Sequence, residues 1–98
     1  FLFVLSRSFR GVTFNKYIMK GDFSVREIEI GAVYRHFKGN YYKVEDIAKH
    51  SETGEIYVVY RQMYGDESLW IRPLNMFLEK TDKEKYPDAA QEYRFERQ

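Results

Sequence analysis

The sequence has no cysteine. That removes disulfide staples, thiolate metal sites and a thiol nucleophile together, and it fits a reducing cytoplasm. It has two histidines, His36 and His50. They stand at neither helical nor finger spacing, and zinc sites usually need three or four ligands, so no metal site is expected. Lys and Arg number 16 against 15 Asp and Glu, a net charge of +1. Such a balance exerts no long-range pull on long nucleic acid or acidic lipid. There is no Gly-rich phosphate loop and no internal repeat, so no cofactor is expected. The opening run "FLFVL" is too short for a signal-peptide core or a membrane span.

What is abundant is aromatic: nine Tyr, eight Phe and one Trp in 98 residues. A chain this short buries only about 60–65% of its unfolded surface. Large rings are an efficient way to fill a core from so little chain. The rings concentrate between two less regular ends. Residues 1–26 read as an N-terminal extension that need not be native. The chain opens on Phe, the first Met is Met19, and residues 1–18 look like an upstream translated stretch or the cut end of a longer chain. Residues 27–80 read as the folded β domain. Residues 81–98 read as a polar tail or a short helix, with Pro87 at its first position and Asp88 in its first turn.

The middle is rich in β-branched and aromatic residues and punctuated by glycine. In "AVYRHFKGNYYKVEDIAKH", Gly39-Asn40 suits a two-residue hairpin turn. That register puts Val33, Arg35, Phe37, Tyr42 and Val44 on one face, expected to be the core. Tyr34, His36, Lys38, Tyr41, Lys43 and Glu45 fall on the other, a wet aromatic-basic surface. In "AKHSETGE", His50, Ser51 and Glu52 are residue types of hydrolase sites. Extended neighbours point to opposite faces, so these three read as a turn closed by a left-handed Gly54. Gly65-Asp66 marks a third hairpin, and Pro73 ends the strand after it. "PLNMF" suits a short 3₁₀ turn. The expected fold is mostly β: a small SH3-like barrel of four to five antiparallel strands, with that turn and a possible short C-terminal helix.

Four stretches carry a family resemblance: "YRHFKGNYYKV" (34–44), "AKHSETGE" (48–55), "VVYRQMYG" (58–65) and "WIRPLNMF" (70–77). In this order and spacing the segment 31–80 resembles the bacterial domain-of-unknown-function family 1653. The resemblance implies a small, cytoplasmic bacterial domain and assigns no catalytic residue. The Glu45-Asp46 pair departs from the family pattern, which has an apolar or small pair there.

Two clusters are candidates for chemistry. Tyr34, His36 and Tyr41, with Lys38 beside them, combine rings with positive charge, as in stacking surfaces for bases and phosphates. The plainer account is a solvated hairpin face. Trp70 and Arg72 share a strand face and could rim a pocket, or else serve as a core plug and a surface tie. Arg35 falls among apolar residues and is expected to pair with Asp46 or to meet an anion. His50 is a lone secondary candidate. No catalytic residue is assigned. The reading is a binding or accessory module for a protein or a small nucleotide-like ligand, with long nucleic acid less favoured and no membrane partner. The alternative is a small enzyme acting on nucleotide or amide substrates, with His36 or His50 as base.

Overall fold

The structure, a computed structural model, describes residues 2–9, 12–19 and 25–98. The β-branched and aromatic runs become strands: β1 (Leu2–Phe9), β2 (Val12–Met19), β3 (Val25–Glu29), β4 (Val33–His36), β5 (Tyr41–Lys49), β6 (Ile56–Gln62), β7 (Leu69–Pro73) and β8 (Phe95–Arg97). Four residues after Pro73, Leu74–Phe77, form a single helical turn, α1. All strand pairs are antiparallel. They make two sheets, ordered β1-β2-β3 and β7-β6-β5-β4-β8. A closed barrel is not found: among the described residues no ladder joins β7 to β8.

The first hairpin of the larger sheet differs from the expected one. Arg35 pairs with Tyr41 and Tyr34 with Tyr42, so the connection is longer than Gly39-Asn40. The cause lies in the turn. The Gly39 amide donates to the His36 carbonyl at 2.8 Å, and the His36 amide to Asn40 at 2.9 Å. Gly39 sits at φ +109, open to glycine and strained for other residues. This odd shift of register exchanges the faces of β4. Tyr34 and His36 now share the inner face with Tyr42 and Val44, while Val33, Arg35, Tyr41 and Lys43 turn outward. A bulge between Val44 and Asp46 absorbs Glu45 as an extra residue. Ile47 therefore returns to the inner face, and the acidic pair causes no clash with the core.

The C-terminal helix expected over 81–98 does not form. Asp82 Oδ1 accepts the Glu84 and Lys85 amides at 3.1 Å each, and Tyr86 N–H closes one turn on Asp82 at 2.8 Å. Pro87 follows that turn and disfavours helix at Tyr86. The chain then runs back as β8 along β4, pairing Tyr34 with Arg97 and His36 with Phe95.

The core lies between the inner face of the larger sheet, α1 and residues of the smaller sheet. Its buried members are Tyr17, Ile28, Ala32, Tyr34, Val44, Val58, Tyr60, Leu74, Phe77, Leu78 and Phe95. Phe77 and Phe95 stack with ring centres 4.0 Å apart and planes 5° from parallel. Tyr34 and Tyr60 meet Phe77 edge-on at 5.6 and 5.4 Å. Arg26 of β3 ties the sheets together. It donates to the carbonyls of Leu78 and Phe95 and lies 3.9 Å over the Tyr93 ring. Arg97 adds an ion pair to Glu29 at 2.7 Å.

Candidate functional site

The larger sheet curls. Five flat strands spaced about 4.8 Å apart would hold their edges roughly 19 Å apart. Yet Arg72 on the edge strand β7 brings its guanidinium within 5.9 Å of the ring centre of Phe95 on the opposite edge strand β8. Tyr60 and Tyr42 meet the same ring at 5.6 Å each, and His36 meets it at 4.9 Å. Phe95, itself only 1% exposed, is thus the buried hub of the inner face, on which the partly exposed His36, Tyr42 and Arg72 converge. Beyond it Tyr42 packs edge-on against Tyr64 at 5.7 Å, and their hydroxyls share a hydrogen bond of 2.8 Å. Burial and the Tyr64 bond push the Tyr42 phenol upward, so it stays protonated.

His36 and Arg72 both belong to this face. The Arg72 Nε–H reaches the Tyr60 hydroxyl at 3.3 Å, and no carboxylate among the described residues pairs with Arg72. His36 is pushed down to about 4, first by burial and then by the positive charges of Arg94, Arg72 and Lys38. It is neutral at pH 7. Its Nδ1 accepts the Lys38 amide at 3.1 Å, which leaves the proton on Nε2. The imidazole therefore offers an N–H donor. Trp70 stands on the same face by its pairing with Tyr60. Its ring is half exposed, and its indole N–H donates to Gln62 Oε1 at 2.8 Å.

The other expected site residues are elsewhere. Tyr34 is 1% exposed and its hydroxyl accepts the Glu29 amide at 3.0 Å; it is a core residue. Tyr41 is 45% exposed on the opposite face. Arg35, also outward, donates to Gln91 Oε1 at 3.0 Å, and Gln91 returns a bond to the Arg35 carbonyl. The expected Arg35–Asp46 pair is absent. The Lys38 ammonium lies 5.3 Å from the Tyr86 ring, beside a hollow of about 310 Å³ that Phe37, Lys85 and Tyr86 also line.

His50 lies in the β5–β6 turn, where its Nδ1 accepts the amides of Glu52 and Thr53 at 3.2 and 3.3 Å. Gly54 closes that turn at φ +74, as expected. In both histidines the Nδ1 lone pair serves a backbone amide, so neither presents a free basic nitrogen while neutral. No group of three or more His, Cys, Asp or Glu among the described residues is placed to hold a metal. No helix of the described residues is long and apolar enough to cross a membrane.

Alternation puts Tyr42 on the core face, and there it packs, partly buried, against the core. The sequence reading does not bring out Gln62, Tyr64 or Phe95. Phe95 sat in a segment read as polar. The signal available for Phe95 was its isolation: it is the single Phe after Phe77, and a large ring in a polar stretch is often the anchor that folds the stretch back.

These features define a class: a curled antiparallel sheet whose inner face is a buried aromatic core at Phe95 and Tyr60 and is open to water at Tyr64 and Trp70. The family model described as Protein of unknown function (DUF1653) matches residues 32–97. The chain belongs to that family. The match covers the larger sheet and α1 from Ala32 through Arg97, so β8 lies within it while β1, β2 and β3 lie outside. No curated protein and no solved structure matches the chain.

Proposed function

We propose that the domain is a binding module for a small planar anion of the nucleotide type, held on the concave face. Arg72 takes the anionic group. Tyr42, Tyr64 and Trp70 supply ring faces for the planar group, and the Nε2–H of His36 donates a hydrogen bond. The observation that carries the reading is the convergence of Arg72 and neutral His36 on the Phe95 ring, with no carboxylate among the described residues neutralising Arg72. A guanidinium half-withdrawn from water without an acidic partner is a site for an anion brought from outside. The approach of Arg72 on β7 to Phe95 on β8 supports a further reading of the sheet as an open form of a small SH3-like barrel. The absence of cysteine supports a cytoplasmic setting.

The test is a titration of the ¹⁵N-labelled protein with nucleoside monophosphates and, separately, with the parent nucleosides. Shifts are expected at Tyr42, Tyr64, Trp70 and Arg72, with the phosphate required. Arg72→Ala should weaken binding about tenfold or more, the loss of one charge-assisted bond, while leaving the melting temperature nearly unchanged. His36→Phe should keep the packing on Phe95 and lose part of the affinity. Equal binding of nucleoside and nucleotide, or none of either, removes the reading.

A further inference from the structure

The edge strand β7 carries three consecutive large apolar residues, and all are open to water: Leu69 at 50%, Trp70 at 50% and Ile71 at 65% exposure. An exposed apolar edge strand is a template for pairing with another chain, and proteins normally blunt it with lysine, a bulge or a cover. Among the described residues β7 has none of these; Pro73 closes only its far end. Its hydrogen-bond directions can be read. The Gln62 amide donates to the Ser68 carbonyl at 3.1 Å, so by alternation Trp70 and Arg72 also turn their backbone groups toward β6. Leu69, Ile71 and Pro73 then turn theirs to the free edge. Proline, which has no N–H, falls in an outward position as this pattern requires.

We propose that β7 pairs antiparallel with the β7 of a second copy, about a two-fold axis passing beside Trp70. The free edge offers two donors, the N–H groups of Leu69 and Ile71, and three acceptors, the carbonyls of Leu69, Ile71 and Pro73. With the axis at Trp70, Leu69 of one copy faces Ile71 of the other, twice; every N–H and C=O of these two residues is paired, and the Pro73 carbonyls stay open to water. With the axis at Ile71, Leu69 would face Pro73, whose ring stands where an N–H would donate and would press on the Leu69 carbonyl. The chosen register also places four apolar side chains, two Leu69 and two Ile71, side by side on the outer face, and sets the two Trp70 rings opposite each other on the inner face. The edge is thus complementary to itself, which a two-fold interface requires. The two five-stranded sheets become one ten-stranded sheet. The pairing rests on Leu69 and Ile71, which lie on the outer face; it shares only Trp70 with the ligand reading, so Ile71→Lys tests the interface without touching the proposed ligand contacts.

Sedimentation velocity over a dilution series should show a dimer of the 11.9 kDa chain that dissociates on dilution. Ile71→Lys, at an exposed position, should give a monomer at every concentration with an unchanged circular-dichroism spectrum. The register is tested by mild oxidation, which the cysteine-free background makes clean. A hydrogen-bonded pair has Cα atoms about 5.5 Å apart, within disulfide reach of about 4.4–6.8 Å. Leu69→Cys and Ile71→Cys chains should therefore cross-link rapidly when mixed and slowly when alone. A wild-type monomer throughout, a dimer indifferent to Ile71→Lys, or Ile71→Cys linking to itself as fast as the mixture would each overturn the proposal.

Discussion

His36 is the residue whose charge the fold controls most directly. Its folded value near 4 lies below the usual value of 6.5. The unfolded chain therefore binds more protons than the native one between those two values, and stability rises with pH across that window. Above about pH 6.5 the contribution is complete; it fades as pH falls toward 4. With the ring only partly withdrawn from water, solvent screening reduces it to on the order of 1–2 kcal/mol. Urea midpoints measured at pH 4.5 and 7.5 should differ for the wild type, and the His36 part of that difference should vanish in His36→Phe. At this scale the sequence was half legible. His36, Trp70 and Arg72 were singled out from residue type and alternation, and they share one face. Tyr34 and Tyr41 were singled out by the same reasoning and do not join them, because an alternation argument inherits every error in the turn that sets it.

The turns are where local chemistry and register meet. Gly54 at φ +74 lies near the left-handed well that Asn also visits. A Cβ there would meet no atom within 4 Å. Gly54→Ala should cost about 1 kcal/mol, and Gly54→Asn less. Gly39 at φ +109 is outside that well, so Gly39→Ala should cost more, about 1–3 kcal/mol, and Asn should not rescue it. Chemical denaturation of the four variants checks the order. Equal costs at the two positions would mean that the first turn relaxes to another conformation. The strands themselves were readable from β-branched runs between glycines. The four-residue loop of the first hairpin was not, because Gly39-Asn40 satisfies the rule for a two-residue loop equally well. Only pairing with the rest of the sheet selects between them. The bulge at Glu45 has the same origin: it is imposed by β6, a distant strand, and leaves no local trace beyond an acidic pair in an odd place.

At the scale of the whole molecule, the core is closed from both ends of the sequence. Phe95 stacks on Phe77, receives His36, Tyr42 and Tyr60 edge-on, and lends its backbone carbonyl to Arg26. Removing residues 95–98 should therefore destabilise the protein by about 3–5 kcal/mol or more, the range for a lost buried phenylalanine. That is a large part of the stability of a small domain. Loss of amide dispersion in the truncated chain, with Phe95→Leu intermediate in melting temperature, is the expected outcome. A sharp, fully dispersed spectrum after truncation would show that β8 is dispensable. Polar composition hid this segment, since one ring among charged neighbours does not alter an average. The foldable middle, by contrast, was legible because its pattern repeats over several strands.

The single tryptophan gives the molecule a built-in optical gauge. Trp70 is half in water, so its emission should be red-shifted in the isolated protein. Tyr60, paired with it across β6 and β7, and the neighbouring tyrosines are within range to pass excitation to it. A planar ligand lying on the indole should quench that emission, while burial of the ring beside a second Trp70 should move it to the blue. The two events thus carry opposite spectral signatures. One cuvette, scanned first on dilution and then on addition of nucleotide, can separate self-association from ligand binding without any label.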